Sequence, residues 1–371
     1  MRRAAIPGRA GLNTTVAVLG VLVALAASPE ASVASAAALG SAGAAVAPPL
    51  YGNWTELKGA PHPGNLSEFA FTWVPGSAGG YGLLFGGRTS RTGLSNETWT
   101  FSGGRWSRLN LTVHPSSRRG AMMTYDAQDG YALLFGGSNG TSYLNDTWTF
   151  SGGAWSRLAP RVAPPARRVG TLSYDPATHA AILFGGHGGG LAGRYQELDD
   201  TWSFVGGNWT RLNPKVSPPA RSEASSAFDA AANVLVLFGG YHRSAPHYVA
   251  LNDTWFWGNN NWHRLDLPAA PPERDGMAFA YDAAVGGIVL AGGHYDSRNA
   301  SAREFNDTWV LRGPFAASLA WTAVPTVRAF PDSDAANMVY DPSSSSLILF
   351  GGRTGIPAQV WFHATWKLHL T

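Results

Sequence analysis

Four arginines recur in one register of this chain. Arg118, Arg167, Arg221 and Arg274 each stand seven residues before an aromatic residue: Tyr125, Tyr174, Phe228 and Tyr281. Guanidinium groups hold carboxylate or phosphate through paired hydrogen bonds, so a repeated arginine register is a candidate anion site. Two further repeats carry Leu66 and Ser333 at that place. A second set of polar residues stands just after a recurrent Gly-Gly pair: Arg88, Ser138, His187, Tyr241 with His242, His294 and Arg353. The ligand-binding candidates are therefore Arg118, Arg167, Arg221, Arg274, Arg88, His187, His242, His294 and Arg353. The alternative for the registered arginines is architectural, since recurrence favours scaffold over site. In that role they pair with backbone carbonyls or with a neighbouring acid such as Glu223 or Asp275.

Other chemistries find little support. The long segments after three of the Gly-Gly pairs bring His187, His242, His247 and His294, with Tyr195, Tyr241, Tyr248 and Tyr295. These histidines come from three separate repeats and lack local ligand spacing, so no metal site is expected. The chain has no Cys, which excludes disulfides, thiolate metal sites and a Cys nucleophile. No Ser-His-Asp arrangement, phosphate-cradling Gly loop or carboxylate pair at a defined spacing is present, so no catalytic residue and no cofactor is assigned.

The elements that must position these residues come from an internal repeat. An apolar run ending in Gly-Gly occurs six times, at Gly86, Gly136, Gly185, Gly239, Gly292 and Gly351. Each is followed by a Trp (Trp99, Trp148, Trp202, Trp255, Trp309, Trp366), in five cases within NETW, NDTW or DDTW. A second Trp follows seven residues later in four units (Trp106, Trp155, Trp209, Trp262) and twelve residues later in the fifth, at Trp321. Short β-rich runs broken by Gly, Asn and Asp are strand signals, and SGG, VGG or GNN between the last two runs suits a tight hairpin. Four such strands every ~50 residues make one propeller blade. The Asn-Asp before the third strand reads as a turn device that bonds nearby backbone.

The double glycine, the aromatic after it and the Trp seven residues further on resemble the kelch repeat, over Trp54 to Thr371. That resemblance implies an all-β, six-bladed kelch-type propeller. It also implies that the segments entering each first strand and leaving each Gly-Gly share one ligand-bearing face. The copper oxidases with a kelch-like propeller depend on a Cys–Tyr cross-link, which a chain without Cys cannot form. The last unit stops after its third strand, WKLHLT, while an unattached fourth-strand match, WTEL, stands at Trp54–Leu57. Pairing the two closes the ring and hides an edge prone to aggregation.

Composition bounds the function. Charged residues are only 14% of the chain and the formal charge is +3. Three arginines (Arg2, Arg3, Arg9) and one acid (Glu30) fall within residues 1–38, leaving the remainder close to neutral, which argues against nucleic-acid binding through a basic surface. The apolar run Thr14 to Ala27 is too short to span a membrane and suits a signal peptide, with small-x-small cleavage sites at residues 34–38. Residues 1–36 are thus expected to be a signal peptide, with an uncleaved anchor as the alternative and the only route to a membrane. Residues 37–50 are expected to be an Ala/Gly/Pro-rich linker and 51–371 the propeller. Among ten N-x-[ST] sequons beyond the signal region, Asn65, Asn139 and Asn299 lie in variable loops. The expectation is a secreted or cell-surface monomer that binds a protein or glycan, an anionic one if the arginines face it. The rival is a mutarotase-like enzyme acting on sugar acids, as some six-bladed kelch-type propellers are. A buried carboxylate of perturbed pKa beside arginines favours the enzyme; a flat aromatic face favours the binder.

Overall fold

The computed structural model describes residues 48–59, 61–90, 93–189, 195–244, 247–295, 303–315, 318–354 and 360–371. The segment read as a signal peptide and residues 37–47 of the linker lie outside the described residues. Six antiparallel sheets follow one another along the chain, and no helix occurs among the described residues. The first blade shows the pattern: Ala70–Val74, Tyr81–Phe85, Thr98–Ser102 and Arg105–Leu109 run from the axis outward. The second strand is the apolar run before Gly-Gly, buried on both faces, as a strand sandwiched between neighbouring blades must be.

Closure occurs as the repeat arithmetic requires. Gly52–Leu57 pairs antiparallel with Thr365–Leu370, from Gly52 opposite Leu370 to Leu57 opposite Thr365, and supplies the fourth strand of blade six. A ring of side-chain bonds records the same closure. The fourth-strand Trp of each blade donates its Nε1–H to the Thr of the preceding blade's third strand. Trp106 reaches Thr365, Trp155 reaches Thr98, Trp209 reaches Thr147, Trp262 reaches Thr201 and Trp321 reaches Thr254, all at 2.9–3.0 Å. Trp54, from the start of the chain, completes the circle on Thr308 at 3.0 Å. Each indole thus buries its apolar body between two blades and has its one polar atom satisfied.

The core is correspondingly divided into clusters that lie between blades. Phe71, Leu84 and Trp106 of blade one pack with Ile348 and Phe350 of blade six, for example. The Gly-Gly pair marks where neighbouring backbones meet. A Cβ at Gly185 (φ +63°) would lie 2.8 Å from the Arg221 carbonyl oxygen, and one at Gly186 (φ +105°) 2.9 Å from that of Arg168. Only glycine fits there.

Candidate functional site

The registered arginines are scaffold. Arg118, Arg167, Arg221 and Arg274 are at most 1% exposed. Each spans its own blade to the Asp of the third-strand motif, in bidentate fashion: Arg118 to Asp146, Arg167 to Asp200, Arg221 to Asp253 and Arg274 to Asp307, at 2.5–2.9 Å. The same guanidinium bonds the carbonyl of the first glycine of Gly-Gly, at Gly136, Gly185, Gly239 and Gly292. The partner acid is therefore neither Glu223 nor Asp275, and the Asp is more than a turn device. It also accepts the Nε1–H of the following Trp, as Asp253 does from Trp255. Burial works against these carboxylates, but Arg118, Arg167 and Arg221 hold Asp146, Asp200 and Asp253 below the ordinary value. A ligand arriving at the face meets these four side chains already committed.

The residue after each registered position behaves differently. In every blade it pairs antiparallel with the residue following Gly-Gly: Ser67 with Arg88, Arg119 with Ser138, Arg168 with His187, Ser222 with Tyr241, Asp275 with His294 and Asp334 with Arg353. Six such pairs surround the axis, so the two loop sets do share one face. One residue further on, Glu68, Gly120, Val169, Glu223, Gly276 and Ala335 all have φ between 49° and 63°. This left-handed turn lets each donate its N–H to the carbonyl of its counterpart in the preceding blade, at 2.7–3.2 Å, with Glu68 bonding Ala335 to complete a belt of six. A β-branched residue such as Val169 is strained in that conformation, so the belt over-determines it.

The ring divides by charge. Glu68 lies among Arg119 (3.0 Å), Arg168 (3.2 Å), Arg353 (3.5 Å) and Arg88 (3.6 Å). Burial alone would raise its pKa, but Arg168, Arg119, Arg353 and Arg88 together hold the carboxyl below its ordinary value. The four guanidinium side chains keep 13–25% exposure, so this half of the mouth is reachable from solvent. Opposite lies an acidic half. Glu223, Asp275 and Asp334 present oxygens within 4.8 Å of one another. Burial, then Asp275 and Asp334, push Glu223 up to about 8, although Arg168 stands 4.0 Å away. His294 is raised to about 9: burial opposes its charge, but Asp275, Asp334 and Glu223 outweigh it. Tyr248 donates its hydroxyl to Asp275 and stacks on Tyr241 at 4.3 Å.

Of the candidates after Gly-Gly, Arg88, Arg353 and His294 thus converge on the mouth. His187 lies buried against Tyr143 at 5.7 Å, and burial with nearby Arg168, Arg243 and Arg119 lowers it to about 4, so it is a neutral imidazole. His242 sits opposite Val249 in the hairpin Tyr241–Ser244 with His247–Ala250. Strand alternation turns it away from the face that buries Tyr241. Sequence reasoning missed Arg119 and Arg168, which immediately follow two scaffold arginines. Their signal was departure from the repeat, where other blades carry Ser or Asp. The acidic trio is the one group among the described residues close enough to share a cation, and Arg353, 3.0 Å from Asp334, already supplies charge there.

No protein-family model and no curated protein matches the chain. Among solved structures, that of YjhT is similar in fold, with a TM-score of 0.61 over 84% of this chain and 99% of that one, at 13% identity. That degree of likeness concerns the propeller fold alone.

Proposed function

We propose that the loop face binds a small anionic ligand, a carboxylate-bearing glycan or sugar acid, in the cationic half of its mouth. The observation that carries this reading is the cluster of guanidinium around Glu68: four arginines surround that carboxylate, Arg353 being shared with Asp334, and all four remain partly exposed. Paired donors in a partly dehydrated opening favour a planar anion over a neutral ligand. Binding also suits an exported protein, the setting that the amino-terminal segment suggests. In the test, the full chain is melted with and without a panel of sugar acids and their neutral parent sugars. A ligand raises Tm by mass action only where it binds the folded form. The acids should raise Tm and the neutral sugars should not, and Arg119→Ala with Arg168→Ala should remove the response. A panel that never shifts the parent's Tm refutes the reading.

A second reading is favoured by Glu223. A carboxyl that keeps its proton at neutral pH, beside Arg168 and facing protonated His294, is suited to giving and taking a proton at a bound sugar's anomeric centre. Faster anomer exchange of a bound sugar acid, followed by NMR and lost in Glu223→Gln while the Tm shift persists, would support catalysis. Unchanged exchange leaves binding alone.

A further inference from the structure

Beyond the belt, away from the loop face, the axis is a channel of about 500 Å³ lined by the six innermost strands. Pockets of ~300–1,000 Å³ are the usual size for small-molecule sites. The fourth residue of each innermost strand lines it, and in every blade that residue is aromatic: Trp73, Tyr125, Tyr174, Phe228, Tyr281 and Tyr340. All six are only half-buried, although five also pack against the inter-blade cores. The next residue is an aspartate in five blades: Asp126, Asp175, Asp229, Asp282 and Asp341. Each is buried, and its carboxylate accepts backbone N–H groups of its own turn. Their charge reaches the next blade's aromatic: after burial, Asp126 raises the Tyr174 hydroxyl and Asp229 the Tyr281 hydroxyl.

Among the described residues, the channel lining contains no Arg, Lys or His, and its only carboxylates are Glu68 and Glu223 at the belt. The innermost strands pair on one side only, so backbone groups also face the axis. Some are met by neighbouring hydroxyls: Ser225 bonds the Met277 carbonyl at 2.9 Å and Ser173 that of Ser226 at 3.1 Å. The remaining edge groups need water or a ligand. The mouth thus combines ring faces, whose quadrupoles attract cations, with a circle of carboxylates buried behind them; the imidazoles of His179, which contacts the Tyr174 hydroxyl, and of His369 also reach that circle.

We propose that this aromatic-rimmed end of the channel is a second ligand site, distinct from the loop-face mouth, that takes a small organic cation such as a quaternary or protonated amine. The two ends of the axis then select opposite charges. The cationic head sits among the tyrosines at the lip, and the uncharged remainder of the ligand enters the channel and displaces water.

Choline is the probe, titrated into the full chain by calorimetry and by intrinsic Trp fluorescence, with its uncharged isostere 3,3-dimethylbutan-1-ol in parallel. Choline should bind about tenfold or more tightly than the alcohol, the difference that a desolvated cation–π contact supports. Tyr281→Leu with Tyr340→Leu keeps apolar bulk and should weaken choline about tenfold. Because that pair also touches inter-blade packing, Thr72→Lys serves as a second variant. Thr72 is half-buried and lines the channel one residue inside the rim, and a fixed ammonium there should abolish choline binding. Equal affinity for the alcohol, no choline binding to the parent, or undiminished binding by a folded Thr72→Lys would each overturn the site.

Discussion

Breaking one of the four buried clamps, such as Arg221–Asp253, tests the assignment of the registered arginines most directly. The Arg221 side chain has no exposed surface. Its Nη1 and Nη2 reach Asp253 at 2.6 and 2.8 Å, Nη1 also bonds the Gly239 carbonyl at 3.0 Å, and Nε bonds that of Pro219 at 3.1 Å. Removing one partner strands the other in the interior, which typically costs ~3–5 kcal/mol against a total stability of ~5–15 kcal/mol. Asp253→Asn keeps the shape and leaves a buried guanidinium without its countercharge. Arg221→Met leaves Asp253 with the Trp255 indole, at 2.6 Å, and the more distant charge of Arg264. Each single variant should therefore lose about 3 kcal/mol, a fall in Tm of roughly 5–10 °C. The double variant should lose less than the sum by ~2 kcal/mol or more, because the second change removes a charge already left unpaired. Urea unfolding followed by Trp fluorescence measures all four corners of the cycle. Losses below ~1 kcal/mol for either single variant, or strict additivity, would refute the clamp. So would an Arg221→Met protein of parental stability that had lost its response to anions.

The closing strand gives a second prediction: deleting residues 51–58 removes the fully buried Trp54, its bond to Thr308 and the Thr365–Leu370 pairing. The loss should be at least ~3–5 kcal/mol, the cost of one buried Trp, and a deletion variant that melts like the parent sinks the closure. The acidic half gives a third, in pH. Glu223 is raised to about 8 and His294 to about 9, so the folded state holds protons that the unfolded chain releases nearer 4.5 and 6.5. Stability must therefore fall as pH rises, through Glu223 between about 4.5 and 8 and through His294 between about 6.5 and 9. Tm measured from pH 6.5 to 9 should decline, and Glu223→Gln, which mimics the protonated carboxyl, should flatten that decline; an equally steep fall in the variant would remove Glu223 as its source.

The sequence by itself determined the architecture, because an architecture of repeats is written once per blade. Six Gly-Gly pairs, the paired Trp and the unattached WTEL matching a missing fourth strand were enough for six blades and their closure. Even the clamp left a trace. Asp146, Asp200, Asp253 and Asp307 occur in the four units that carry the registered Arg, while the unit with Leu66 has Glu97 and the unit with Ser333 has Ala364 at that place. That correlation says that the Arg answers to its own blade, but it is silent on which of Asp253, Glu223 or Asp275 lies within reach, since the distance between two strands is not a property of either. The mouth was the reverse case. Arg119, Arg168, Glu68, Glu223, Asp275 and Asp334 carry no repeat signal, and their importance arises from convergence on one axis across all six blades. Only the closed ring decided that four guanidinium groups share Glu68, while Glu223 is crowded by two carboxylates and keeps its proton. Charge interactions depend on separation and burial, and in a propeller both are fixed by circular closure, which brings residues almost 300 positions apart to within a hydrogen bond's length.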